Sequence, residues 1–364
     1  MADERPWQFD LEEYIREGEP ESADRADAWQ TAIGLQAVDG LKTSDYLLET
    51  ARDHIEGVIS IGEAQARIQS YYEERANRED FEAEDTREGD VVSIRIARLL
   101  GERAFTFSPA QLKAIHGRLF EGLLTTAGEY RTYNITKKEW VLKGDTVYYA
   151  SADSIEATLD YDFSQEKGFS YRNLSKEQAI RHLESFISGI WQIHPFGEGN
   201  TRSTAVFAIK YLNSLGYKVD NRPFKEHSWY FRNALVRANY ENLELGIHET
   251  REYLDRFFDN LLLGANHELR NRYLHVDWHE GESVVDLAGT QQVTQQVTQQ
   301  VAVLLDALGD EELSLREIME RLGLRDRNSF TRNYLKPALD ADLIERTIPD
   351  KPTSRLQKYR RRNG

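Results

Sequence analysis

Between residues 175 and 193 apolar side chains return every three or four positions. In SKEQAIRHLESFISGIWQI they fall at Ile180, Leu183, Phe186, Ile187, Ile190 and Trp191, a single stripe on an α-helix. Ser175 and Gln178 stand at the spacing of a capping box and mark its start. The run TAVFAIKYLNSLGY, from residue 204, is apolar on more than one face, which predicts a helix buried on several sides. Gly216 is placed to end it. The nine residues HPFGEGNTR at 194–202, with Ser203 after them, join the two runs and so form a loop that feeds a helix N-terminus.

Two regions depart from the helical period. EWVLKGDTVYYA, residues 139–150, has β-prone runs on either side of Lys143-Gly144-Asp145 and predicts a hairpin with Trp140, Val141, Val147, Tyr148 and Tyr149 along its strands. After residue 276 the pattern breaks again, and GTQQVTQQVTQQVAV repeats every four residues in polar chemistry that reads as a linker or a marginal helix. Three helix-like runs follow. They are VAVLLDAL, SLREIMERLGL with a second capping box at Ser314 and Glu317, and NSFTRNYLKPALDADL. LIERTIPDKPTSRLQKYR then reads as a two-stranded wing, completing the order of a winged helix-turn-helix. The expected class is all-α, divided at 1–90, 91–275, 276–300 and 301–364.

Composition narrows the function classes. At 364 residues, 40% hydrophobic and 30% charged, the chain has globular composition and room for more than one unit. It has no cysteine, which removes disulfides, thiolate metal sites and cysteine nucleophiles. The N-terminal MADERPWQFDLEEY lacks a signal-peptide pattern and no apolar run is long enough to span a bilayer, so the expectation is a cytoplasmic protein with no membrane partner. A net charge of −16 argues against a nucleic-acid coat. The tail KPTSRLQKYRRRNG is the exception, with basic residues and no acidic one.

The loop carries the chemistry. A helix N-terminus presents unpaired N–H groups and the positive end of a dipole to an anion. Gly197 and Gly199 allow the backbone close to such an anion, Asn200 can donate to it and Arg202 can fork onto phosphate oxygens. Glu198 would repel phosphate unless a divalent cation lay between, which makes it a candidate Mg²⁺ ligand. His194 has the ordinary pKa of a general base. The set reads as phosphoryl or nucleotidyl transfer; read as packing alone, the same residues make a tight connection between two helices.

The nonapeptide resembles the signature of the Fic family, His-x-Phe-x-Asp/Glu-Gly-Asn-Gly-Arg-x-x-Arg. QLKAIHGRLFEGLLTTAGEYRTYNI resembles the segment before the family's flap, and residues 139–150 occupy the flap position. NRPFKEHSWYFRNALVRANYENL resembles its adenine-side segment, and the C-terminal run its appended winged helix. The resemblance implies a helical Fic core at 91–275 with a short β-hairpin flap, a preceding helical region, a linker and the winged helix. It also implies transfer of AMP from ATP, with Mg²⁺, to a hydroxyl of a target protein or of the chain itself. By the same pattern His194 would take the hydroxyl proton and Glu198 would hold Mg²⁺. Gly197, Gly199, Asn200 and Thr201 would line the phosphate, and Arg202 would bind the pyrophosphate end. Phe196 would anchor the loop, Tyr230 and Asn233 would meet the adenine, and the flap would hold the target backbone as an added strand. Trp229 and Phe231 are read as core.

Two positions depart from the signature: Thr201 stands for its second glycine and Ala205 for its last arginine. Many members also block the nucleotide with a glutamate on a helix. Glu56-Gly57 is the matching pair, although Arg52 stands where a Ser or Thr belongs, and Arg202 is the expected partner of Glu56. The alternative reading is a DNA-binding regulator with a degenerate core. Arg327, Arg332 and Lys336 would lie on its recognition helix and Arg355, Lys358 and Arg360 on its wing. A solvated basic face explains those six equally well. A protein hydroxyl, DNA and a second copy of the chain are the expected partners.

Overall fold

From Asn200 to Leu212 every residue is buried in the computed structural model, and the surrounding helices are arranged to cover that run. The structure describes residues 20–76 and 81–278 and, of the C-terminal part, segments between 304 and 361. It divides into two compact units, Met1–Glu282 and Ser283–Gly364.

The first unit is helical. Its elements are α1 (Pro20–Gly34), α2 (Asp45–Ile55), α3 (Ile61–Ala76), α4 (Phe81–Gly101), α5 (Pro109–Phe120), α6 (Ile155–Gly168), α7 (Lys176–Ile193), α8 (Asn200–Ser214), α9 (Arg222–Ala238) and α10 (Glu252–Leu262). Helix α8 runs through the middle against α4, α5 and α7. The expected amphipathic helix is α7, and both halves of its capping box form: Ser175 Oγ accepts from the Gln178 N–H at 3.2 Å and Gln178 Oε1 from the Ser175 N–H at 2.9 Å. Gly216 (φ 85°) follows the end of α8, with the Tyr217 N–H on the Leu212 carbonyl at 3.1 Å. Lys210 is one of two cations within the buried run, Arg202 being the other, and its ammonium donates to the carbonyls of Leu99 and Glu102, at the C-terminal, negative end of α4.

Helices α1 to α4 bury Trp29, Leu35, Leu47, Ile55, Ile68 and Val92 in the same core as α5 to α10, so no packing boundary falls at residue 90. Asp90 joins three of these helices. It accepts from the Ser44 N–H at 2.8 Å, at the N-cap of α2, and from the Tyr72 hydroxyl of α3 at 2.5 Å.

Residues 139–150 are not a β-hairpin. Trp140–Leu142 is a single 3₁₀ turn, ended by Lys143 in the left-handed region, and no strand is assigned beside it. The loop closes on itself through Glu139 N–H to the Asp145 carbonyl at 2.8 Å. Val141, Leu142 and Val147 turn into the core, so the β-prone residues are spent on packing rather than on pairing. Of the expected flap residues, Tyr148 is the one fully open to solvent, at 82% exposure.

The second unit contains β1 (Leu313–Ser314), α11 (Leu315–Arg321), β2 (Ile344–Arg346) and β3 (Lys358–Arg361). The strands form an antiparallel sheet in the order β1-β3-β2, with Leu313 and Arg346 both opposite Tyr359. Leu308, Ile318, Phe330, Leu335 and Ile344 form a core of its own. The capping box at Ser314 and Glu317 is formed. No helix among the described residues is long and apolar enough to cross a membrane.

One contact between α1 and α9 positions the turn that follows α1. A Cβ on Gly34 would stand 2.3 Å from the Lys225 carbonyl oxygen, and Ser228 Oγ donates to the Gly34 carbonyl at 2.7 Å. Gly34→Ala is therefore expected to cost roughly 1–3 kcal/mol in urea unfolding, because backbone cannot yield as a side chain can.

Candidate functional site

The loop at 194–202 is braced from several directions. Asn200 grips the Phe196 backbone, accepting its N–H at 3.0 Å and donating to its carbonyl at 2.7 Å. The His116 ring stacks on Phe196 with centroids 3.8 Å apart. The Gly128 N–H donates to His116 Nδ1 at 2.9 Å, which leaves Nε2–H to donate to the Glu198 carbonyl at 3.1 Å. Gly199 (φ 72°) turns the chain into α8, and a Cβ there would lie 2.3 Å from the Phe120 ring. No side chain caps the first turn of α8. Its N–H groups face the loop as an anion site would require.

His194 ends α7 in the left-handed conformation (φ 51°, ψ 59°), which is uncommon away from glycine and costs of order 1–3 kcal/mol. Arg131 holds it there. The Arg131 Nε donates to the His194 carbonyl at 2.8 Å and its backbone N–H to the Pro195 carbonyl at 2.8 Å. The imidazole lies between Tyr149 and Trp191, 3% exposed. Its Nδ1 is 3.3 Å from the Trp191 carbonyl, the geometry that places the proton on Nδ1. Nε2 is then a buried lone pair without a hydrogen-bond partner. Burial, and then the nearby Lys137 and Arg232, hold the His194 pKa well below its ordinary value, so the ring is neutral.

Arg202 is buried and fully engaged. Its guanidinium lies over the Phe120 ring at 4.7 Å, 2.8 Å from Glu88 and 2.7 Å from Asp39, and donates to Gln36 Oε1 at 3.2 Å. Asp39 approaches Nε as an ion pair without the alignment of a hydrogen bond. Burial opposes the charge, but Asp39 and Glu88 outweigh it and raise the Arg202 pKa. Both carboxylates come from the N-terminal helices: Glu88 from α4, and Asp39 from the 3₁₀ turn Leu35–Asp39 that Gly34 sets against α9.

A second cluster adjoins His194. Arg232, on α9, forks onto the buried Glu139 at 2.6 and 3.0 Å, and the Tyr149 hydroxyl donates to Glu139 at 3.2 Å. Lys137 stands among Arg232, Asp39, Glu198 and Glu139, with its ammonium pKa lowered by burial and then by Arg232. The Glu198 residue is exposed overall, yet the protein packed around its carboxylate, and then the neighbouring carboxylates Glu88 and Asp39, raise its pKa against the pull of Lys137. Among the described residues no three acidic or histidine side chains converge as a metal cage. A Mg²⁺ that keeps its waters and shares substrate phosphates needs one or two carboxylates, and Glu198, without a side-chain partner among the described residues, fits that need.

The expected site residues divide. His194, Glu198, Asn200 and Arg202 meet at the loop. Thr201 Oγ1 is taken by the Trp191 indole N–H at 2.9 Å, which ties α8 to α7 and accounts for a threonine where the signature has glycine. Tyr230 and Asn233 are both buried, Tyr230 against Phe257 of α10 and Asn233 donating to Asn271 at 2.8 Å, while Arg232 between them forks onto Glu139 beside the loop. Glu56 is corrected, because it is the exposed C-cap of α2 and Asp39 and Glu88 take the Arg202 contact expected of it. Arg327, Lys336 and Arg355, with the Arg332 side chain, lie outside the described residues. Lys358 is exposed, and Arg360 pairs with Glu312 at 2.9 Å and Glu345 at 2.7 Å. No period or spacing singles out His116, Arg131, Lys137, Glu139 or Arg232, although His116, Arg131 and Arg232 lie in the runs that resemble the family; His116 and Arg131 bond to the loop, and Lys137 and Arg232 act on His194 as nearby charges.

The profile of the Fic/DOC family matches residues 106–212, spanning α5 to α8 and the whole loop. These residues are a Fic domain. Residues 299–361 match the C-terminal domain of the filamentation-induced-by-cAMP, Fic-like proteins. The chain is 22% identical over 191 residues to Protein adenylyltransferase VbhT of Bartonella schoenbuchensis, covering 51% of this chain and 38% of that protein. It is 26% identical over 166 residues to Probable protein adenylyltransferase y4lH of Sinorhizobium fredii, covering 45% and 81%. Thus it spans well under half the length of the first relative. Among solved structures it is similar to a Fic family protein from Desulfovibrio desulfuricans G20, at 20% identity over 99% of this chain and 97% of that one, with a TM-score of 0.44. BepC of Bartonella tribocorum with bound AMPPNP is 18% identical over 48% and 84%, with a TM-score of 0.37.

The brace of this Fic loop has a pH signature. Burial lowers the His116 pKa from 6.5 to about 4, so the folded state favours the neutral ring. Its contribution is complete above about pH 6.5 and is lost as pH falls from there towards 4. In urea unfolding at several pH values, the advantage of wild type over His116→Gln is expected to shrink across that window by up to about 3 kcal/mol.

Proposed function

We propose that the Fic domain transfers AMP from ATP to a hydroxyl group of a protein. The observation that carries this reading is the neutral, unpartnered Nε2 of His194 beside the uncapped N-terminus of α8. The hydroxyl oxygen attacks the α-phosphorus and forms a P–O bond, and the bond to the bridging oxygen of pyrophosphate breaks. The hydroxyl proton passes to His194 Nε2. The N–H groups of the α8 first turn stabilise the charge that builds on the α-phosphoryl oxygens. Mg²⁺, held by Glu198, would supply charge neutralisation on the phosphates. Arg202, once free, would bind the leaving pyrophosphate. The names of the two adenylyltransferase relatives support the same chemistry.

The reading includes autoinhibition, by Asp39 and Glu88 rather than by Glu56. While both carboxylates hold Arg202, it has no free face for phosphate, and their negative charge stands where a triphosphate would bring its own. Opening the clasp exchanges one set of anionic oxygens for another.

Transfer of label from ATP carrying radioactive α-phosphate, onto the chain and onto proteins of a lysate, tests both claims. Glu88→Gln and Asp39→Asn are each expected to raise the rate several-fold. Adding His194→Ala is expected to lower it at least about 100-fold. An unchanged rate in both clasp variants would refute the inhibition, and label that survives loss of His194 would refute the base. Because the base must be neutral and its pKa is lowered, kcat/KM should hold level as pH falls from about 8 to about 6.5 and decline only below. A decline centred above pH 6.5 would contradict the assignment.

A further inference from the structure

The charges around His194 leave one cation over. Arg202 is held by Asp39 and Glu88, and Arg232 by the buried Glu139. Lys137 is half-buried in the same cluster, yet among the described residues its ammonium makes neither a hydrogen bond nor a contact ion pair. The carboxylates nearest to it in effect, Asp39, Glu198 and Glu139, all stop short of contact. The chain beyond it is fixed: the Lys137 N–H donates to Thr146 Oγ1 at 3.1 Å, and Val141 and Val147, further along the same loop, are buried in the core. A desolvated ammonium held short of every carboxylate around it is unfavourable unless an anion arrives. Helix α8 offers no alternative, because one turn beyond Arg202 on the same face is the buried Ala205.

We propose that Lys137 is a phosphate-binding residue of this site and grips the polyphosphate chain of the nucleotide from the 137–147 loop. The proposal rests on the nucleotide-transfer reading above. The Lys137 ammonium lies within electrostatic range of both Glu198 and Asp39, which flank the first turn of α8 and Arg202, so an anion bound at that turn arrives beside it. Arg232, already forked onto Glu139, keeps Glu139 from closing on Lys137. The preference for a triphosphate is then set by a loop far in sequence from the motif. The same loop carries the exposed Tyr148, so nucleotide binding and the surface beside the site are joined in one segment.

Calorimetric titration of the full chain, in wild type and in Glu88→Gln, tests this with Mg-ATP and with adenosine as probes. Lys137→Gln is expected to weaken Mg-ATP at least tenfold in both backgrounds while adenosine changes less than twofold. Lys137→Arg should restore Mg-ATP affinity to within about threefold, since a lysine at this kind of site acts chiefly as a charge. Equal losses for ATP and adenosine would overturn the proposal, because Lys137 would then only support the loop. Unchanged ATP affinity in Lys137→Gln would overturn it too while leaving the nucleotide site intact. Parent chains that bind no ATP would instead bring down the nucleotide reading, and this inference with it.

Discussion

A guanidinium buried at the start of a core helix cannot be left without anions. Arg202 is 2% exposed, and an isolated charge at such a site costs several kcal/mol. Much of the first unit can be read as the answer to that demand. Helix α8 is buried from Asn200 to Leu212, its first turn and Arg202 included. The neighbouring helices must then supply either carboxylates or a ligand. In this structure they supply Asp39 and Glu88, and a nucleotide would supply phosphate oxygens instead. Because either partner set satisfies the same guanidinium, the exchange between them can be nearly balanced, which is what a switch needs.

The same constraint explains why the N-terminal helices share the core. Asp39 reaches Arg202 because α1 ends at Gly34, where the backbone lies directly on α9, and the 3₁₀ turn then buries Leu35, Gln36 and Val38. Glu88 reaches it from α4, whose neighbour Asp90 pins α2 and α3 in turn. The loop is held just as firmly from the other side. Asn200, His116 and Arg131 fix Phe196, Glu198 and His194 through backbone atoms, so the His194 Nε2 and the Glu198 carboxylate remain free. This division is how a rigid site is built: backbone groups are satisfied first, and the reactive atoms are left unpaired.

Local signals carried much of this in the sequence. The stripe of α7, both capping boxes and the end of α8 at Gly216 follow from spacing within one helix or one turn. The nonapeptide was legible because its residues are contiguous and each has a chemistry that a phosphate needs. What could not be read is what arrives from elsewhere. Glu88 pairs with a residue 114 positions away and Gln36 with one 166 away, and no periodicity reports such distances. Helix α9 is buried on most sides, so its period could not say that Arg232 faces the loop while Tyr230 and Asn233 face the core. The β-prone run at 139–150 misled for a related reason: Val141 and Val147 look like strand residues, but here tertiary burial, not pairing, uses them.

The account makes the ion pairs of Arg202 the element on which inhibition and nucleotide binding both turn. The most direct measurement is a crystal structure of the full chain bearing Glu88→Gln, with Mg²⁺ and a non-hydrolysable ATP analogue. The account predicts the Arg202 guanidinium turned from Asp39 onto phosphate oxygens, with the α-phosphate at the first turn of α8 and within reach of His194 Nε2. A nucleotide bound at that turn while Arg202 stays on Asp39, or one bound away from α8 altogether, would contradict it.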